Sequence, residues 1–178
     1  TTIDSTFALA YYKHALTMGW RNAGDTSQVR MLERAARYGD RLPPRERELI
    51  GAYAALVRVL SSDVDSTQAE AAYRLAQQRY AAIVARDSGS AEAWYGLGDA
   101  HWHHQTKDMQ AAVRNWTTSL RAFNRPIELD SSFHLAYSDK IDIYRNASNE
   151  QSGMVLDGDS VIHVRPDSVR RAGNGAWL

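Results

Sequence analysis

Apolar positions along most of the chain recur with the period of an amphipathic helix, and Gly-, Pro- and Ser-containing breaks separate the runs. Phe7–Trp20 predicts a first helix, and the stretch 21–25, with Gly24, a turn. Ser27–Tyr38 predicts a second, with Val29, Leu32 and Ala36 on one face and Arg30, Arg34 and Arg37 outside. Gly39 follows its last turn as a stop signal. Leu42-Pro43-Pro44 opens a third helix, because a proline in the first turn lacks only an N–H that would have been unpaired. Leu49, Ala52, Tyr53 and Leu56 make its apolar stripe. After a break over 61–66, Thr67–Arg86 predicts the fourth helix, and after the ARDSGS phrase Ala91–His104 predicts the fifth. A polar link, Gln105–Gln110, leads to a sixth helix ending near Phe123. Pro126 lacks an N–H and crowds the carbonyl four residues back, so an end or a kink is expected there. Ser132–Asn146 predicts the seventh helix, with no obvious partner in the chain. From Asn149 the pattern changes. Met154–Val164 holds two β-rich runs around Asp157-Gly158-Asp159, a hairpin signal, and Pro166–Leu178 reads as a loose end. The chain thus divides into a helical body, residues 1–147, and a tail, residues 148–178.

Gly98 lies in the middle of the fifth helix, where glycine costs about 1 kcal/mol against alanine. Such a residue implies a backbone that another helix approaches closely. Trp94, Leu97, Gly98 and His101 share one face around it. Before it, Ala76 and Tyr80 pair a small with an aromatic residue, as Ser119 and Phe123 do later, whereas Ile83 is bulky. Asp4-Ser5-Thr6-Phe7-Ala8-Leu9-Ala10-Tyr11 recurs as Asp130-Ser131-Ser132-Phe133-His134-Leu135-Ala136-Tyr137, a cap followed by a helix start.

On these residues the chain, from about Asp4 to Asn146, resembles a degenerate tetratricopeptide repeat domain. Trp94, Leu97 and Gly98 match the family's Trp-x-x-Leu-Gly-x-x-Tyr phrase, and His101 stands in the tyrosine slot. The interval from Trp94 to Tyr137 is longer than the family's period of about 34 residues. Lys140 and Ile141 replace the Leu-Gly pair in the last unit. Blocks with Phe-x-x-Ala-Tyr-Tyr (Phe7–Tyr12) and Pro-Pro-Arg-Glu-Arg (Pro43–Arg47) resemble regions attached to bacterial serine/threonine kinases and related signalling proteins. The kinase catalytic motifs are absent, so no kinase activity is implied. The resemblance implies an all-α fold, an α-solenoid of about three antiparallel helix pairs with an extra helix and a short tail.

Composition narrows the function classes. Lys+Arg and Asp+Glu are equal at 21 each, so net charge gives no support for nucleic-acid or anionic-membrane binding. Only Lys13, Lys107 and Lys140 are lysine. With no cysteine, disulfides, thiolate zinc sites and cysteine nucleophiles are excluded. No apolar run approaches the ~18 residues of a membrane span, and no signal peptide is visible. The compartment stays open between cytoplasm and periplasm. A start at Thr1-Thr2 suggests a processed or excised piece of a longer chain.

The resemblance also implies a concave groove lined by the first helix of each pair. Carried over by position, Tyr12 and Trp20, then Glu92, Tyr95, Asp99, Trp102 and His103, then Ser138, Asp142 and Arg145 would face it. Tyr, Trp and Arg suit such a surface because they bury much area and still hydrogen-bond. Trp20 and Trp102 have the alternative of packing on neighbouring helices. Some family members bind C-terminal carboxylates there. Gly96, Asp99, Asp139 and Asp142 occupy the comparable places, and the acidic side chains would repel one, so an Arg- or Lys-bearing segment fits better. His101, His103 and His104 with Asp99 offer two metal ligands on a helix face but no identifiable third. Asp157-Gly158-Asp159 lacks the remaining ligands of a calcium loop. No nucleophile elbow, phosphate loop or His-Glu-x-x-His motif is present.

The sequence therefore predicts a non-catalytic protein–protein interaction scaffold. Its partner would be another protein or a neighbouring part of a longer parent chain, with no cofactor, no nucleic acid and no small-molecule substrate. A second reading is a structural subunit of a larger assembly, free or membrane-associated, and a third a metal-dependent enzyme using His101–His104.

Overall fold

The computed structural model describes residues 7–21, 26–60, 64–104, 106–149, 154–157 and 160–163. The described body is all-helical: α1 (Ala8–Arg21), α2 (Thr26–Arg37), a 3-10 turn (Gly39–Arg41), α3 (Pro44–Leu60), α4 (Ser66–Arg86), α5 (Ala91–Trp102), α6 (Met109–Leu129) and α7 (His134–Asn149). In the tail, strands β1 (Met154–Asp157) and β2 (Ser160–His163) pair antiparallel, Met154 opposite His163. The chain divides into two compact units, Thr1–Arg86 and Asp87–Leu178, a boundary inside the helical region. Among the described residues no helix is long and apolar enough to cross a membrane.

In the first unit, α1 packs on α2, α2 on α3 and α3 on α4. The predicted stripe Leu49, Ala52, Tyr53 and Leu56 is buried throughout. The α2 stripe is displaced from its expected position. Gln28, Leu32 and Ala35 are buried, while Ala36 is exposed. The cause is Gln28, whose side chain is completely buried and whose amide nitrogen uses both of its donors. Its Nε2 donates to the Ala15 carbonyl at 3.1 Å and to the Tyr53 hydroxyl at 2.7 Å. Tyr12 meets Tyr53 edge-on, with ring centroids 6.1 Å apart. Burying such a ring stabilises by about 1.5–3 kcal/mol. Asp65 starts α4 by accepting the Thr67 and Gln68 N–H groups at 2.9 Å each. Ala76, Tyr80 and Ile83 then pack inward.

In the second unit, Ser90 caps α5, its Oγ accepting from the Ala93 N–H at 3.3 Å. Asp108 caps α6 by accepting from the Gln110 N–H at 3.0 Å. Phe123 of α6 closes over Gly98 of α5, and Ser119 Oγ donates to the Gly98 carbonyl at 2.9 Å. This is the close helix approach that a mid-helix glycine requires. The core joins Trp116, Leu120 and Phe123 of α6 to Ala136, Ile143 and Ala147 of α7. So α7, expected to lack a partner, is seated on α6, and β1 packs on both.

One further expectation is corrected. The sixth helix does not end at Pro126 but runs on to Leu129. Pro126 is fully buried, and its carbonyl accepts from the Asp130 N–H at 2.8 Å. Burial of the ring and a position in the last turns offset the one hydrogen bond that proline removes. The expected hairpin turn at Gly158 and Asp159, the expected turn at 22–25 and the segment Pro166–Leu178 lie outside the described residues.

Candidate functional site: the α5–α7 face

Helices α5 and α7 both pack on α6 and touch each other. The spacing Tyr95, Asp99, Trp102 and His103 keeps these side chains on neighbouring rows of α5, as Ser138, Asp139, Asp142 and Arg145 are on α7. Tyr95 is set by the core, its ring centroid 5.6 Å from that of Phe123 and 5.4 Å from that of Phe133. One turn along, His103 Nε2 lies 3.1 Å from Asp99 Oδ1. Asp139 reaches the same place from α7. Tyr95 hydrogen-bonds its carboxyl group, yet its Oδ2 is buried without a hydrogen-bond partner.

Electrostatics follow from that geometry. Burial pushes the Asp139 carboxyl up from its ordinary 3.8 to about 7, and the neighbouring Asp99 charge adds to the push. The Tyr95 hydrogen bond and His103 oppose it without winning. For His103, burial favours the neutral ring, but the Asp99 hydrogen bond and the charges of Asp99 and Asp139 outweigh burial and raise its pKa. His101 is different. Burial lowers its pKa, it hydrogen-bonds Asn115, and its Nδ1 has no partner. The three histidines thus fall in different environments, and the described residues contain no group of three or more His, Asp or Glu placed to hold a metal ion.

Beside this cluster a cleft of ≈ 740 Å³ opens at the end of α5. Trp102, Trp116 and Met109 give it apolar walls, and His103, Lys107 and Asp142 polar ones. Trp102 is partly buried against the α6–α7 core. Asp142 pairs with Arg145 at 2.9 Å, and its carbonyl accepts from Asn146 Nδ2 at 2.9 Å.

Of the expected groove residues, Tyr95, Asp99, Trp102, His103, Asp142 and Arg145 lie on this face. Glu92 is half-buried in the first turn of α5, and Ser138 is exposed, its hydroxyl turned back to the His134 carbonyl at 3.4 Å. Trp20 is 50% exposed on α1 in the first unit. Tyr12 is corrected: at 1% exposure it belongs to the core of the first unit and lines no surface. Asp139, named from the sequence only as an acid that would repel a carboxylate, was not among the expected groove residues. Its signal was the repeat of an acidic residue at Asp99 and again at Asp139, and nothing in the spacing gave its burial.

No protein-family model matches the chain, and no curated protein or solved structure matches it.

Proposed function

We propose that the chain is a non-catalytic interaction module of tetratricopeptide type, an α-solenoid, and that the α5–α7 face holds an extended partner segment bearing Arg or Lys. One observation carries it: the Asp139 carboxyl stands beside a second carboxylate, Asp99, which pairs with His103 at the edge of the cleft. A guanidinium or ammonium group held at this face would relieve the repulsion between the two acids. The adjacent cleft offers Trp102, Trp116 and Met109 to the apolar residues that flank such a cation. The pairing of α5 with α6 through Gly98, Ser119 and Phe123, and the Asp130–Ser132 cap before Phe133, support the repeat reading.

Selection of peptides from a random displayed library on the purified chain tests this. Bound peptides should be enriched in Arg or Lys beside an apolar residue. Trp102→Ala and Asp142→Ala should weaken them. Enrichment of acidic peptides, or binding indifferent to both substitutions, would refute it.

A further inference from the structure

The first unit carries a separate cleft between α3 and α4, enclosing ≈ 560 Å³. Arg47, Glu48 and Gly51 line it from α3, and Arg79, Ile83 and Arg86 from α4. Each set shares one helix face, so the packing of these two helices gathers three guanidinium groups around one opening. Glu48 is the carboxylate among the described lining residues, and it is salt-bridged to Arg86. Arg79 is held by a neutral acceptor instead. Its Nη1 donates to the Gly51 carbonyl at 2.6 Å. A β-carbon at Gly51 would stand 3.2 Å from that nitrogen, so the bare glycine is what lets the guanidinium lie against α3.

Charge then decides the ligand. Glu48 cancels one of the three positive charges, and among the described residues Arg47 and Arg79 have no carboxylate against them. Two uncancelled charges match a dianion better than a carboxylate monoanion. Guanidinium groups present forked donors that fit the oxygens of a phosphoryl group. Pro44, the first residue of α3, also lines the cleft, so the positive end of that helix dipole adds to the field. The volume lies in the range of small-ligand sites.

We propose that the α3–α4 cleft binds a phosphoryl dianion through Arg47, Arg79 and Arg86. The group arrives either on a phosphorylated side chain of a peptide or on a small phosphate-bearing metabolite. The site is independent of the α5–α7 face.

The test titrates inorganic phosphate, a phosphoserine peptide and its unphosphorylated twin onto the full chain, read by calorimetry and amide NMR shifts. Phosphate and the phosphopeptide should bind and shift amides of α3 and α4, and the twin should not. Arg79→Gln and Arg86→Gln should each weaken binding about tenfold, with circular dichroism unchanged. Arg79→Lys should lose less. Glu48→Gln should tighten binding several-fold, because it removes the competing carboxylate. Tighter binding of the phosphopeptide than of phosphate assigns a phosphorylated segment as the source, and equal binding a metabolite. No binding of either phosphorylated probe, or the same affinity in wild type and Arg79→Gln, overturns the site.

Discussion

Phe123 lies so close over Gly98 that a β-carbon there would stand 2.5 Å from its Cε1 and 2.6 Å from its Cδ1. The helix α5 keeps a weak helix former because the α6 ring occupies the space a side chain would need. Gly98→Ala should gain about 1 kcal/mol of helix propensity and lose more to overpacking. The expected net is a destabilisation of roughly 1–2 kcal/mol, read as a lower urea midpoint. Gly98→Ala with Phe123→Leu should recover part of that loss relative to the sum of the single changes. Additive effects would mean that the two residues do not meet.

Gln28 should be among the costliest polar residues to remove. Its Nε2 donates to two internal acceptors, the Ala15 carbonyl and the Tyr53 hydroxyl. Gln28→Ala opens a cavity and leaves those groups without their donor, at a cost of about 2–4 kcal/mol. Thermal unfolding followed by circular dichroism checks this. A loss below about 0.5 kcal/mol, the size of an ordinary surface change, would contradict the burial of Gln28.

Asp139 gives a pH dependence with a defined sign. Its folded-state pKa, about 7, lies above its ordinary 3.8, so between those values the folded chain binds the proton more tightly than the unfolded one. Its contribution to stability is therefore present below pH ~4 and is lost as pH rises to about 7. His103 acts in the same sense at higher pH: its raised pKa contributes stability below the ordinary histidine value that disappears as pH climbs through the folded one. Asp139→Asn keeps the size and the Tyr95 acceptor and removes the charge. It should stabilise the chain at pH ~8 by on the order of 1–3 kcal/mol and have little effect at pH ~4. Paired urea titrations at the two pH values measure the difference. Equal differences at both, or destabilisation at pH ~8, would contradict a strained carboxylate at this position.

How far the sequence reached depended on whether a residue's partners were local. The stripe Leu49, Ala52, Tyr53 and Leu56 is legible because helix period alone puts those side chains on one face, and all four are buried. Gly98 with Ser119 and Phe123 is legible because a mid-helix glycine demands a close neighbour. Gln28 was not, since an amide is buried only when its partners, here on α1 and α3, are known. The same holds for Tyr12, whose position suggested a groove and whose ring fills the core beside Tyr53. Pro126 misled for a local reason: the rule against proline in a helix was weighed without the burial that offsets it. At the candidate site, the acidic character of the α5–α7 face could be read from Asp99, Asp139 and Asp142. The burial that sets Asp139 apart arises where α7 meets Tyr95, Asp99 and His103 of the α5 segment and cannot be read from spacing.

The most direct test of the interaction account follows one selected Arg-bearing peptide by calorimetry, on wild type and on Asp139→Asn, from about pH 6 to about pH 8. A cation prefers the ionised carboxylate and the neutral imidazole. Affinity for wild type should therefore rise about tenfold as pH passes the Asp139 pKa of about 7, with a proton released on binding. Asp139→Asn should bind more weakly at pH ~8 and lose most of that rise. Wild-type affinity that stays flat or falls with pH, or an Asp139→Asn profile that superimposes on it, would contradict the α5–α7 face as the cation-holding surface.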